Sequence, residues 1–317
     1  MTVRLPNAGA FLLGALLIVL AGVAGYLVGH GHSASAPAEA VRDASNANAL
    51  LEYPERAGWE PASRVPTIPG LSITRPLVLA PGGNPSEAGL VEGELASEGW
   101  SPLPAGFLSH TRGLPKTEVV ELANTEAYRY SGLETGAPSM AFTLYTIPSS
   151  GSSEAAVACY APEAEARTMR ACEGIAGGLT VTYPAGDAPI DDLIPQTTYA
   201  HEIDEALTRL NQLRTSLHAG TVGAVSPSTA STLAQDAASG VDDVRSTLAS
   251  VQPPAAAEQV HAAFLSSLAN ASAAYSALAT AAQSGEQAAF TEALTRVTSA
   301  ETSLNSVLAG FSLLGYG

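Results

Sequence analysis

The chain has 317 residues, 30 of them acidic against 14 Lys and Arg, and a formal net charge of −16. That balance repels phosphate backbones and anionic lipid head groups alike, which excludes nucleic acid as a partner. Lysine occurs once, at Lys116, and the remaining basic side chains are arginine, a bias of coding that says nothing about function.

Residues 8–28, "AGAFLLGALLIVLAGVAGYLV", carry no charge over 21 positions. A helix of that length covers about 31 Å and matches a hydrocarbon core of roughly 30 Å. Arg4 precedes the run and acidic residues follow from Glu39. The amino terminus is therefore expected in the cytoplasm and everything after Gly29 outside. A cleaved signal peptide is the competing reading, with small-residue sites at Ala34-Ser35-Ala36 and Ala38-Glu39-Ala40. The apolar region of such a peptide spans roughly 7 to 15 residues. The greater length here favours a retained single-pass anchor in the lipid bilayer. Both readings place the bulk of the chain in the cell envelope, outside the membrane.

Residues 1–30 are thus read as a cytoplasmic stub with its anchor, and 31–65 as a linker. "HSASAPAEAVRDASNANA" is too poor in apolar side chains to offset the entropy of ordering it. Tyr53 and Trp59, near the end of the linker, are expected to dock a strap onto the following domain.

From 66 to 184 short β-prone runs alternate with turn clusters. "LSITRPLVLA" reads as a strand, with Pro76 confining it to an edge or breaking it. "TEVVELA" and "AYRYSGL" flank Asn124-Thr125-Glu126 and read as a hairpin. "MAFTLYTIP" follows the turn residues Gly136 and Pro138, and "EAAVACYA" follows the loop "PSSGSS". Pro162, with Glu163 and Glu165 behind it, reads as the first turn of a helix that places Met169, Cys172, Ile175 and Ala176 on one face. The expectation is a small antiparallel sheet with a covering helix.

A connector at 185–196 leads to helical periodicity over 197–317. Tyr199, Ile203, Leu207, Leu210, Leu213 and Leu217 form a first stripe, ended by Gly220; Leu233, Ala237, Val241, Val244 and Leu248 form a second, stopped by Pro253-Pro254. Val260, Phe264, Leu268, Tyr275 and Leu278 form a third, closed at Gly285; Phe290, Leu294, Val297, Leu304, Val307 and Phe311 form a fourth. Short connections make neighbouring helices antiparallel, giving an up-down-up-down four-helix bundle. Alanine thins each stripe, and Gly240 inside the second helix costs about 1 kcal/mol relative to alanine. The fold class is therefore α+β: an N-terminal transmembrane helix, a sheet domain, and a C-terminal bundle, with each outer domain owning its core.

Cys159 falls near the end of a strand and Cys172 on the helix expected to pack over it. Outside the cytoplasm such a pair is expected to be oxidised. Closing a loop of about 14 residues would stabilise by roughly 3 kcal/mol in the chain-entropy model. Zinc would need two further ligands, no histidine lies near, and a redox pair would use C-x-x-C spacing. The expectation is a disulfide.

"LVLAPGG" at 77–83, "AAVACYAP" and "CEGIAGGL" resemble a module of membrane-anchored proteins of high-GC actinobacteria. In that group an alanine-rich helical region can follow, and some members are kinase-type receptors. The resemblance covers residues 66–183 and implies no catalytic residues. A kinase is not implied, because the chain lacks a Gly-rich loop, His-Arg-Asp and Asp-Phe-Gly.

Other motifs fall short of chemistry. Glu258 and His261 make one E-x-x-H where a di-iron bundle needs two, so a surface position is expected. His30 and His32 would be a weak metal site in a flexible segment. His201-Glu202 lacks the second histidine of H-E-x-x-H. Asp191-Asp192 and Asp242-Asp243 are adjacent doublets without the alternation of a calcium loop, and read as solvated acids or helix starts. "SSGSS" lacks G-x-S-x-G. No catalytic, cofactor-binding or metal-binding residue is therefore assigned. The expected function is non-catalytic: an ectodomain that binds or scaffolds an envelope protein partner, or alternatively a sensor holding a small ligand in its sheet domain.

Overall fold

The computed structural model describes residues 51–53, 56–95, 100–133, 140–150, 154–183, 187–221 and 226–316. The predicted anchor at 8–28 and the pair His30 and His32 lie outside them, as do Gly136 and Pro138. Among the described residues no helix is long and apolar enough to cross a membrane.

In chain order the elements are β1 (Leu51–Glu52), β2 (Trp59–Pro61), β3 (Ile73–Pro81), β4 (Gly89–Leu95), α1 (Ala105–Leu108), β5 (Lys116–Glu121), β6 (Glu126–Ser131), β7 (Met140–Ile147), β8 (Glu154–Pro162), α2 (Ala166–Ala176) and β9 (Thr180–Val181). Four long helices follow: α3 (Thr197–Thr221), α4 (Pro227–Leu248), α5 (Glu258–Ser284) and α6 (Gln287–Leu313). The fold is α+β, an antiparallel sheet with C-terminal helices.

The described chain forms two compact units whose division does not follow chain order. One contains Thr197–Pro253 and His261–Leu308; the other contains Ala36–Gln196, Pro254–Val260 and Ala309–Gly317. The sheet unit thus recruits two segments from the helical part of the sequence.

Its sheet has seven strands in the order β2-β3-β4-β8-β7-β6-β5, and β1 pairs with β9 in a separate ribbon. Every pairing is antiparallel. The expected hairpin is β5–β6, with Glu121 opposite Glu126. β8 is the central strand, and Ala155–Ala161 is buried on both faces. Its alanines leave room for covering layers to approach closely.

One face carries Leu79, Leu90, Tyr145, Ile147, Val157 and Cys159, covered by Cys172, Ile175, Ala176 and Leu179 from α2 and its exit. The expected disulfide is present: Cys159 and Cys172 are bonded, with their Cα atoms 5.8 Å apart. Tyr53 and Trp59 pack against this core as a docked strap. Arg56 donates from Nη1 to the carbonyl of Ala171 on α2 at 3.1 Å. β1 and β2 both fall in the stretch read as linker.

The opposite face carries Tyr128, Tyr130, Leu144, Phe142, Ala156 and Ala158. Phe107 of α1 meets Phe142 at a centroid distance of 5.9 Å. The end of α6 belongs to this layer: the Tyr130 hydroxyl donates to Leu313 O at 2.9 Å, and Thr117 Oγ1 donates to Ser312 O at 3.3 Å. Phe311, Leu313, Leu314 and Tyr316 are all buried.

Two local expectations need correction and a third holds in part. Pro76 does not end β3, which is flanked by β2 and β4, but as expected it breaks the ladder locally, and no β2 residue lies opposite it. A bulge between Thr74 and Leu77 absorbs it, with Arg75 at φ 51°, and β2 pairs only with Leu79–Pro81. A proline is tolerated where the ladder is already interrupted. The covering helix starts at Ala166, not Pro162, because β8 continues to Pro162 opposite Met140. The first helix of the helical unit runs one residue past Gly220, to Thr221.

In the helical unit, Leu213 of α3 lies against Gly240 of α4, and Arg209 pairs with Asp243 at 3.3 Å. Ser272 of α5 donates to Ala238 O of α4 at 3.2 Å, and Gln283 Nε2 donates to Ser231 Oγ at 2.8 Å. Along both pairs the numbers rise on one helix as they fall on its neighbour, so each pair is antiparallel. Ser226 caps α4 by accepting from Thr229 N at 3.1 Å, with Pro227 in the first turn. A Cβ on Gly240 would sit 2.5 Å from Leu213 Cδ2, which gives that glycine a packing reason.

A candidate functional site of buried polar groups on the sheet

The α2 face of the sheet carries a satisfied ionic network. Arg129 of β6 bridges Glu118 of β5 at 2.9 Å and Glu173 of α2 at 2.7 Å, and Thr143 donates to Glu173 at 3.1 Å. Hydrogen bonds from Lys116 and then Arg129 hold the Glu118 carboxyl below its usual range. The hydrogen bond to Glu173 raises the Arg129 guanidinium further. This network ties a helix to three strands, and each member has a partner.

Glu92 of β4 lies on the same face, opposite Val157 and Leu77. It is 4% exposed, and its Oε2 has no hydrogen-bond partner among the described residues. Burial alone pushes its carboxyl up to about 8. An unpaired buried carboxylate is costly, so the group keeps its proton at neutral pH.

A cluster of polar groups occupies the opposite face, at one end of the sheet. Tyr128 of β6 stands directly across from Thr146 of β7, and Thr146 from Ala156 of β8. Glu154 points to the same side two positions before Ala156, beside Leu95 of β4. Tyr128 Oη and Glu154 Oε2 are buried without a hydrogen-bond partner among the described residues, and Thr146 Oγ1 is buried within reach of the Tyr130 hydroxyl. Burial lifts Glu154 to about 7. Burial first, with the Tyr316 phenol and then the Glu126 and Glu154 carboxyls adding to it, raises the Tyr128 phenol. Tyr130 is raised by burial first; a hydrogen bond with Thr146 opposes this, and Tyr128 and Glu154 add to it. Neighbouring hydroxyls on this face do have partners, since Tyr130 reaches Leu313 O and Tyr160 reaches Pro85 O at 2.8 Å.

The motif residues sort differently. His261 is not at the surface as expected: it is 5% exposed, and its Nδ1 lies 2.9 Å from Tyr199 Oη. Burial pushes its imidazole down, and the backbone of Leu248 partly opposes that. It is a satisfied core histidine, while Glu258 sits in the first turn of α5. His201 is exposed and lies 3.2 Å from Glu205. Asp191 and Asp192 are exposed, but Asp242 is half-buried and accepts from Ser272 at 2.8 Å. Of the "PSSGSS" loop, Ser150 accepts from Ala188 N at 2.9 Å, and residues 151–153 lie outside the described set. Among the described residues no three His, Cys, Asp or Glu side chains gather as a metal site.

Sequence reasoning missed Glu92 on one face of the sheet and Tyr128, Thr146 and Glu154 on the other. The available signal was polar residues at strand-interior positions, with Tyr128 and Tyr130 two apart and hence on one face. No protein-family profile, curated protein or solved structure matches the chain.

Proposed function

We propose that this chain is a membrane-anchored extracytoplasmic protein whose two outer units bind or scaffold a protein partner in the cell envelope, without catalysis of their own. The observation that carries the reading is the Cys159–Cys172 bond inside the sheet core. A buried bond of this kind forms and persists in an oxidising compartment, which supports export of everything after the apolar run at 8–28. The actinobacterial resemblance of residues 66–183 agrees with that placement. Proximity crosslinking at the surface of the native cell, with neighbours identified by mass spectrometry, tests the binding role. Recurrent envelope proteins are the expected neighbours, and neighbours confined to the cytoplasm would overturn the reading. Carbonate-washed membranes should retain the full-length chain; a mature form beginning near Val41 in the medium would replace the anchor with a signal peptide.

The unpartnered buried oxygens of Tyr128 and Glu154 favour a second reading, in which the sheet unit holds a small solute. Buried polar groups within an otherwise apolar layer accompany small-ligand sites.

A further inference from the structure

We infer that Tyr199 and His261 form an acid-sensitive latch at one end of the helical unit, where a neutral imidazole joins α3 to α5 and its protonation parts them. The latch goes beyond the anchoring and binding reading and does not depend on it.

Three helix ends meet here, all inside the helical unit. Tyr199 is in the first turn of α3, His261 in the first turn of α5, and Leu248 is the last residue of α4. The Tyr199 hydroxyl and His261 Nδ1 lie 2.9 Å apart, with ring centroids at 5.8 Å. Tyr199 is 3% exposed and His261 5%, so solvent does not share the bond. On α5 the imidazole belongs to the buried stripe of Phe264 and Leu268; on α3 the phenol belongs to that of Ile203 and Ala206.

The tautomer follows from the two neighbours. The ring donates a hydrogen bond to the backbone of Leu248, and a carbonyl only accepts. With Tyr199 at Nδ1, the hydrogen of the neutral ring sits on Nε2, and the phenol donates to the lone pair on Nδ1. A second proton on the ring turns Nδ1 from acceptor to donor. Two hydrogens then face each other until the phenol turns away.

Charge adds to the mismatch. Burial disfavours the imidazolium and outweighs the help of the Leu248 carbonyl. Positive charge is unfavourable beside the first turns of α3 and α5, and only the end of α4 favours it. Tyr199 is the titratable group that faces the ring. The ionisable side chains one turn away on the three helices, Glu202, Arg245 and Glu258, do not act on it. Arg245 is engaged with Asp242 at 3.3 Å. Among the described residues no carboxylate is in place to pair with the charged ring, so the ring is relieved by leaving the core. Helix ends open at lower cost than helix centres, which lets this happen without unfolding the unit. The sign is definite: the folded ring binds its proton less tightly than an open one. The latch is therefore whole above the ordinary value of 6.5 and weakens as pH falls through the lower folded value. Glu92 and Glu154 drive the sheet unit the opposite way, firming it in acid, so the latch has to be read locally.

Hydrogen–deuterium exchange of the full chain at pH 7.5 and pH 5.5, with labelling times scaled to the intrinsic rates, gives that local reading. Peptides covering residues 200–206 and 261–268 should lose protection at the lower pH, by about tenfold for each tenfold weakening of proton affinity in the folded state. Peptides from the middle of α4 should keep theirs. His261→Gln, which keeps a polar side chain without a titrating group, should show no such difference. If that variant does not fold, ring titration followed by nuclear magnetic resonance decides in the wild-type chain. His261 should titrate below 6.5, and Tyr199→Phe should move it upward by removing the donor to the neutral ring. Equal protection at the two pH values, a loss that survives in folded His261→Gln, or a ring that titrates at its ordinary value would overturn the latch.

Discussion

The hydroxyl of Tyr130, in the sixth strand, donates to the carbonyl of Leu313, 183 residues further along the chain. A residue at the end of the last helix thereby finishes a core begun in the sheet. Phe311 and Tyr316 meet edge to face at 6.4 Å beside it. Tyr130→Phe should lower stability by about 1–2 kcal/mol, because the Leu313 carbonyl loses its donor. Removal of residues 309–317 should do far more, stripping four buried apolar side chains from the sheet. Urea titration followed by tyrosine fluorescence and far-ultraviolet circular dichroism should show a modest midpoint shift for the first change and no cooperative sheet transition for the second. Native-like stability in the truncated chain would mean that the sheet closes without α6.

The disulfide should be worth about 3 kcal/mol to the sheet unit in the chain-entropy model. Non-reducing peptide mapping should recover Cys159 linked to Cys172. Cys159→Ser, or strong reductant, should lower the melting transition of the sheet unit. A chain whose melting is indifferent to reductant would show that α2 is held by Ile175 and Ala176 packing alone.

Glu92 makes stability depend on pH with a definite sign. Its carboxyl is raised from 4.5 to about 8 by burial. The folded state therefore binds the proton more tightly than the unfolded one. That stabilisation is complete below the unfolded value and is lost as pH rises from about 5 through 8. Each tenfold difference in proton affinity is worth about 1.4 kcal/mol, so the full loss amounts to a few kcal/mol. Glu154, raised to about 7, adds to the slope in the same direction. Urea midpoints measured from pH 5 to pH 9 should fall steadily, and Glu92→Gln should flatten the decline and stabilise the chain at pH 8. A flat wild-type profile would place a partner on the Glu92 carboxyl.

Gly240→Ala would ordinarily stabilise a helix interior by about 1 kcal/mol. Here the new methyl would stand 2.5 and 2.7 Å from the two Cδ atoms of Leu213. The leucine must turn away, so no net gain is expected, and Gly240→Val should cost about 1–3 kcal/mol through overpacking. Adding Leu213→Ala should restore the helix gain of Gly240→Ala, a coupling that a double-mutant cycle measures directly. Additive changes would show that the two helices do not rely on this contact.

Much of this architecture can be read from periodicity. The β5–β6 hairpin follows from two β-prone runs around a short polar turn, and the four helical stripes follow from apolar spacing. β4 escapes the same reading because Glu92, Gly93 and Glu94 interrupt its apolar run, although Leu90, Val91 and Leu95 are buried. The start of α2 was displaced because Pro162 suits a first helical turn, whereas β7 offers it a strand partner at Met140. Tertiary pairing overrode the local signal. His261 looked like a surface residue because its motif sits in a first helical turn; Tyr199, 62 positions earlier, is what makes its burial tolerable. The polar trio on the sheet is illegible for a similar reason: its members lie on three strands, and only the register brings them to one place.

The disulfide-linked face and the Tyr130 face of the sheet differ sharply in how far along the chain their covers lie. On one side Cys172 follows Cys159 by 13 positions, so α2 can settle almost as soon as β8 exists. On the other side the covering residues 309–316 are made roughly 150 residues after the last strand of the sheet, at Pro162. Contacts that distant form late, because their closure entropy is paid before any burial rewards it. During that interval Tyr128, Tyr130 and Leu144 stand open on strands not yet closed into a stable sheet, a sticky surface on an emerging chain. The Tyr130 face is therefore where a folding helper would hold this protein, and where a stalled chain would first aggregate.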